Sequence, residues 1–372
     1  MKRKLLRHII KPVMLSALML FLPYQSRCQQ RPGFRITFPR APQRVSDSLK
    51  LVVIGDVMMH SRQMLYPMES FLEDLSPLLK GADIAVANME FSLGGKPYSG
   101  YPAFSAPDSY ASYVKDSLGV DVFLTANNHI LDRGPKGLER TLGVYDSLQV
   151  RHCGSYRSKA EKNSSFPLIL NAKGMRIALV NFTYGTNAGQ SGEYPGVCRM
   201  DEAQVKAAIR RAKDKGADFI IALPHWGTEY SLTHSEKQEQ WARMLISEGC
   251  DAVIGSHPHV VQDTTHIDGR SVIYSLGNAV SNMSAKNTRL GLAVEICLVK
   301  DSFLGTKSVA EPRLHFLWCT LPDKLSSSYK TVEIKKWASR EGDWLDKIDY
   351  LNMLQTLERV CAATGIEYYS PL

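Results

Sequence analysis

LVVIGD, residues 51–56, sets four apolar residues suited to a buried strand directly before a glycine and a carboxylate. The same device recurs downstream. IAVANME (84–90) places Asn88 and Glu90 just past an apolar run, and VFLTANNH (122–129) does so for Asn127, Asn128 and His129. FIIALPH (219–225) ends in His225, and AVIGSHPH (252–259) ends in His257 and His259. Segments with helical spacing lie between, around Glu69–Lys80, Tyr110–Leu118, Pro135–Leu148, Asp201–Lys215 and Glu239–Glu248, with a further apolar run at Ile177–Phe182. This alternation predicts an α/β protein with largely parallel strands. The carboxyl ends of such strands share one rim, so five strand ends bring carboxylate, amide and imidazole to one place.

From Ser271 the rhythm changes. Ser271–Leu276, Leu290–Val299 and Leu314–Cys319 follow one another without a helical segment, which predicts antiparallel strands closing a second sheet. After Lys335, the residues Trp344, Ile348, Leu351, Leu354 and Leu357 recur at three- and four-residue intervals, predicting a final amphipathic helix packed on the body. One main domain over 51–300 is expected, with 301–372 adding strands and that helix to it.

The formal charge of +8 suggests a nucleic-acid binder until it is located along the chain. Residues 1–50 hold eleven Lys/Arg against the single acid Asp47, which leaves residues 51–372 at a net −2. The folded part is slightly acidic, so charge gives no reason to expect nucleic acid. The first 28 residues have a basic start, the apolar stretch Val13–Leu22 and a polar region before Cys28, the order of a signal peptide. Export to the periplasm or cell envelope with cleavage near Cys28/Gln29 is expected. A lipid anchor on Cys28 wants a small residue before it, and Arg27 stands there. Residues 29–50, rich in Pro and Arg, read as a flexible linker. The six remaining cysteines are scattered among apolar runs, which favours buried thiols over a disulfide framework.

Oxygen and nitrogen ligands without cysteine suit divalent Mn, Zn, Fe or Mg. In an extended His257-Pro258-His259 the two imidazoles would project to one side and reach one metal or a close pair. Five or six candidate ligands exceed the need of one structural ion and fit a two-metal hydrolytic site. His60, four residues past Asp56, could join the metal or meet substrate, while His152, His234, His266 and His315 read as surface or structural.

Taken in order, GDVMMH (55–60), ANMEFSL (87–93), TANNHILDRG (125–134), PHWGTEY (224–230), IGSHPHVVQ (254–262) and YSLGNAVSN (274–282) resemble the CapA family of capsule, or poly-γ-glutamate, synthesis proteins. That family is similar in fold to the calcineurin-like metallophosphoesterases. The resemblance implies a layered α/β sandwich, two central mixed sheets flanked by helices, with one or two divalent metals at an edge. It places Asp56, Glu90, Asn128, His225, His257 and His259 at ligand positions, and His129 where a histidine protonates the leaving group, with Asp132 able to orient its ring. Asn88, Glu229 and Asn278 belong near the site. The chain departs from the phosphoesterases in having Val57 and Met58 after Asp56, Asn88-Met89-Glu90 in place of their Gly-Asp, and Ile130 after Asn128-His129.

Two readings follow. One is an exported metal-dependent hydrolase or transferase acting on an envelope polymer. The other is a non-catalytic polymer-binding component of a membrane-bound capsule synthesis or export complex.

Overall fold

The computed structural model describes residues 46–190, 192–301 and 303–368. The expected signal peptide and most of the linker lie outside the described residues. Among the described residues two large mixed sheets dominate, of nine and six strands. The first is ordered Lys330–Glu333, Arg313–Thr320, Leu290–Asp301, Ser46–Val57, Ile84–Met89, Val122–Leu124, Arg151–Cys153, with Asn278–Val280 paired to the end of Ser46–Val57. The second is ordered Thr264–Ile267, Arg270–Ile273, Ala252–Ile254, Phe219–His225, Met175–Thr183, Leu168–Ala172.

Strand alternation builds the layers. Leu49, Leu51 and Val53 point into a core shared with Ile177, Leu179, Ile221 and Leu223 of the second sheet. Val52 and Ile54 point the other way, into a cluster with Leu138, Leu142 and Tyr145. On the far side of the second sheet, Ala178, Val180 and Ile220 meet Val205, Ile209, Leu245 and Ile246 of the helices Glu202–Asp214 and Glu236–Ser247. The result is the layered α/β sandwich that the family resemblance implies, helices outside and two mixed sheets within. Those helices start where their caps dictate: Asp201 accepts from the Gln204 N–H, and Ser235 with Gln238 forms a capping box.

Several expectations are corrected. The chain enters the sheet at Ser46, five residues before Leu51, because Ser46–Ile54 pairs antiparallel with Asp301–Ala293 along its length. That pairing, and the pairing of Leu290–Glu295 with Trp318–Arg313, puts the late strands into the first sheet instead of a second one. Arg270–Ile273 does join the second sheet, antiparallel to Thr264–Ile267 as expected on one side but parallel to Ala252–Ile254 on the other. Glu69–Lys80 is no continuous helix. It breaks into 3-10 turns at Met68–Ser70 and Glu73–Leu75 before a short helix Ser76–Lys80, because Pro77 is tolerated in a first turn and not in a helix interior. The last helix, Lys347–Thr364, buries Tyr350, Met353, Leu357 and Val360, while Ile348 and Leu351 face solvent. All six described cysteines are free.

Candidate metal centre

The two sheets bring their strand ends together at one rim, and the first residue placed is Asp56. Gly55 makes this possible: a Cβ there would lie 2.0 Å from the Gly277 carbonyl oxygen, which instead accepts the Asp56 N–H. Asp56 is fully buried. Its Oδ1 accepts from Asn88 Nδ2 at 2.7 Å, its Oδ2 accepts from the His257 N–H at 3.3 Å, and His259 Nδ1 lies 3.3 Å from Oδ2. Asn88 Nδ2 also approaches His225 Nδ1 at 3.2 Å, so Asn88 positions its neighbours.

Glu90 sits at the middle. Its N–H binds the Val57 carbonyl, which turns the side chain inward, to 3.6 Å from His225 Nε2 and 3.8 Å from His259 Nε2. His225 ends its strand with Nε2 2.9 Å from Asn128 Oδ1 and Nδ1 3.1 Å from Ser256 Oγ. His257 and His259 both have positive φ, 103° and 58°, so they reach the centre from a strained turn and not from the extended stretch expected from the sequence. Asn278 Oδ1 lies 3.0 Å from His259 Nδ1.

Three groups of side chains converge with ligand atoms within 4.8 Å of one another: Glu90, His225 and His257; Asp56, Glu90 and His259; Glu229, His257 and His259. Both Glu90 carboxylate oxygens and His257 Nδ1 are buried without a hydrogen-bond partner. Buried polar atoms are nearly always satisfied, and a cation held among these side chains would satisfy all three. The protonation balance agrees. Burial, then the nearby charges of Asp56 and Glu229, pushes the Glu90 pKa well above the usual carboxylate value. Burial, then neighbouring imidazoles, pushes His225 well down and His257 down to about 3. Burial also pulls on His259, but its bond to Asp56 wins and the pKa is raised. The neutral imidazoles of His225 and His257, beside an acid that resists ionisation, are donors a divalent cation would complete, and the O/N set suits Mn, Zn, Fe or Mg.

Beside this cluster His129 is 3% exposed, its Nδ1 2.7 Å from Asp132 Oδ2 and its Nε2 3.4 Å from Asn187 Nδ2. Asp132 Oδ2 also accepts the Phe104 N–H at 2.8 Å, and the Phe104 ring stands edge-on to His129. His60 stays out of the ligand groups. Its Nδ1 lies 3.0 Å from Gln63 Oε1 and 3.2 Å from the Asn282 nitrogen, and burial pushes its pKa down to about 4. Glu229 is exposed at the rim. Sequence reasoning missed Tyr184, whose ring centroid is 4.5 Å from that of His257, and Asn187, which touches Asn128 and His129. The signal was present: Tyr184 follows the apolar run Ile177–Phe182 as His225 follows its own.

The family model described as bacterial capsule synthesis protein PGA_cap matches residues 50–283, a span containing every residue of this centre. The chain belongs to this family. Capsule biosynthesis protein CapA of Bacillus anthracis is 30% identical over 262 residues, covering 66% of this chain and 63% of its own length. PGA biosynthesis protein CapA of Bacillus subtilis (strain 168) is 28% identical over 342 residues, covering 86% and 87%. This chain thus spans a little under two thirds of the first relative and most of the second. Among solved structures, a phosphatase from Mycoplasma pneumoniae aligns at 14% identity with a TM-score of 0.48, over 73% of this chain and 94% of that one. A 5'-nucleotidase from Candida albicans SC5314 aligns at 12% identity with a TM-score of 0.44, over 85% and 58%.

Proposed function

We propose that this capsule synthesis family member is an exported metal-dependent hydrolase or transferase that acts in the periplasm or cell envelope on a poly-γ-glutamate type polymer or a fragment of it. Glu90 carries the catalytic reading. A buried carboxylate with neither oxygen bonded costs several kcal/mol to keep, and a mere scaffold has no need of it. Glu90 and Asp56 with His259, and Glu90 with His225, His257 and the Asn128 amide oxygen, would hold two divalent ions. Such ions polarise the bond under attack and make water a nucleophile near neutral pH.

The chain's own residues supply the rest. With Nδ1 of His129 engaged by Asp132, Nε2, which has only the long 3.4 Å approach of Asn187 Nδ2, is the atom that would give a proton to the leaving oxygen or nitrogen. Asp132, itself fixed by the Phe104 N–H, holds that ring in place. Asn278 and Asn88 orient His259 and His225. Residues 1–28 support export through their signal-peptide order.

The test is a turnover screen of the metal-loaded chain on poly-γ-glutamate and on model esters, phosphoesters and amides. Chelator-sensitive turnover that drops about 10²–10⁴-fold in His129→Ala, with metal and melting temperature retained, is the expected result. No turnover on any of them by a fully metallated chain would leave the protein a non-catalytic polymer-binding component.

A further inference from the structure

Behind Tyr184 lies a second cavity of about 600 Å³, which shares that residue's ring with the metal centre. Four cations line it from different elements: Lys159 and Lys162 on the helix Lys159–Ser165, Arg199 after the short strand Gly196–Val197, and Arg211 on the helix Glu202–Asp214. None of the four makes an ion pair among the described residues. Lys162 donates to the Gln204 amide oxygen, and Arg199 to Thr186 Oγ1 and Gln190 Oε1. Arg211 Nε is buried with no hydrogen-bond partner at all. Of the two acids on the lining, Asp201 is occupied in capping the helix through Gln204, and Glu193 is exposed to solvent.

Arg211 is half-buried, and its Nε is an unsatisfied donor that an anion in the cavity would engage. Cations on three separate elements along a wall suit charges repeated along a chain better than one compact phosphate group. Arg199 also ties down the loop that carries Tyr184 and Asn187, so the cavity and the metal centre have a common wall. We propose that this cavity is the subsite for an extended run of carboxylates, a segment of glutamate polymer that passes Tyr184 to reach the metal centre. The inference rests on the polymer-directed reading above, but not on turnover.

Fluorescence anisotropy of a dye-labelled γ-linked glutamate oligomer, on the full chain with chelator present, reads the subsite without chemistry. Expected is binding that weakens as salt rises, and that weakens at least about tenfold in Arg211→Gln and in the solvent-facing double variant Lys159→Gln/Lys162→Gln, at unchanged melting temperature. Absence of binding by the parent chain, or variants that bind as tightly as the parent, would overturn the subsite. Polyphosphate that displaces the oligomer and binds more tightly, with the same dependence on Arg211, would overturn its assignment to carboxylates. A chain that binds as expected yet turns nothing over contradicts the hydrolytic reading alone, and one that turns over polymer with unaltered variant affinities contradicts the subsite alone.

Discussion

Glu90 presents two unbonded oxygens in a site with Asp56 and Glu229 nearby, and both burial and those charges favour its protonated form. Its folded-state pKa lies above the unfolded value near 4.5, so its contribution to stability is complete below that pH and is lost as pH rises through the raised value. In chelator at about pH 7.5, Glu90→Gln is therefore expected to be more stable than the parent by about 1–3 kcal/mol, the cost of an unpaired buried polar group. The two should converge below about pH 4.5, as measured by urea unfolding, and a parent more stable than the variant in chelator would refute the assignment. With metal added the order reverses, because only the parent gains from binding. Asp132→Asn, by contrast, should keep metal and fold while displacing the pH profile of turnover, which a merely structural Asp132 would leave in place. Of these residues, sequence located Asp56, Glu90, His225 and His257 by their position past apolar runs. It misjudged how His257 and His259 arrive, because φ in a three-residue turn depends on the tertiary contact between the His257 N–H and Asp56.

The strands that carry Asp56 and Asn278 touch through glycine. Gly55→Ala would drive a Cβ into the Gly277 carbonyl oxygen, and the strands must part to admit it. A loss of about 3 kcal/mol or more, with loss of metal affinity, is the expected outcome in thermal unfolding with and without metal. His315 bonds Glu333 Oε1 at 2.8 Å, and Lys336 lies 2.9 Å from Oε2. These partners, His315 first, hold the Glu333 pKa at about 2. That stability is present above the usual carboxylate value and is lost as pH falls through about 2. His315→Ala should cost about 1–2 kcal/mol near pH 6 in urea unfolding without any change in metal content, whereas His257→Ala should lose metal. At this scale the sequence was legible in part where signals are local. The helix read around Asp201–Lys215 forms as Glu202–Asp214 behind its Asp cap, whereas the two-residue hairpin turns Lys173-Gly174 and Asp268-Gly269, with positive φ at both residues, were missed although their signal is local. The partners of Leu290–Asp301 and the buried face of Lys347–Thr364 were not legible, because both are set by long-range packing: the antiparallel run along Ser46–Ile54 in one case and the inter-sheet core around Met353 in the other.

Across the whole molecule, two sheets from distant parts of the chain meet at one rim, and neither alone completes the centre. The first supplies Asp56, Asn88 and Glu90, the second His225, and the turn after Ala252–Ile254 supplies His257 and His259. Five strand ends with polar caps made that convergence legible from the sequence, while the cavity behind Tyr184 depends on two helices whose separate basic residues carry no local signal. The folded region's near-neutral charge hides a basic pocket beside an acidic and imidazole centre, so a net count over residues 51–372 describes neither. The measurement that tests the centre most directly is the metal stoichiometry of the purified chain by elemental analysis, parent beside Glu90→Gln, after dialysis against a trace of Mn or Zn. Close to two divalent ions per parent chain, falling to one or none in the folded variant, is the expected result. A parent without bound metal, or a variant that retains the parent's full complement, would contradict a centre built around Glu90.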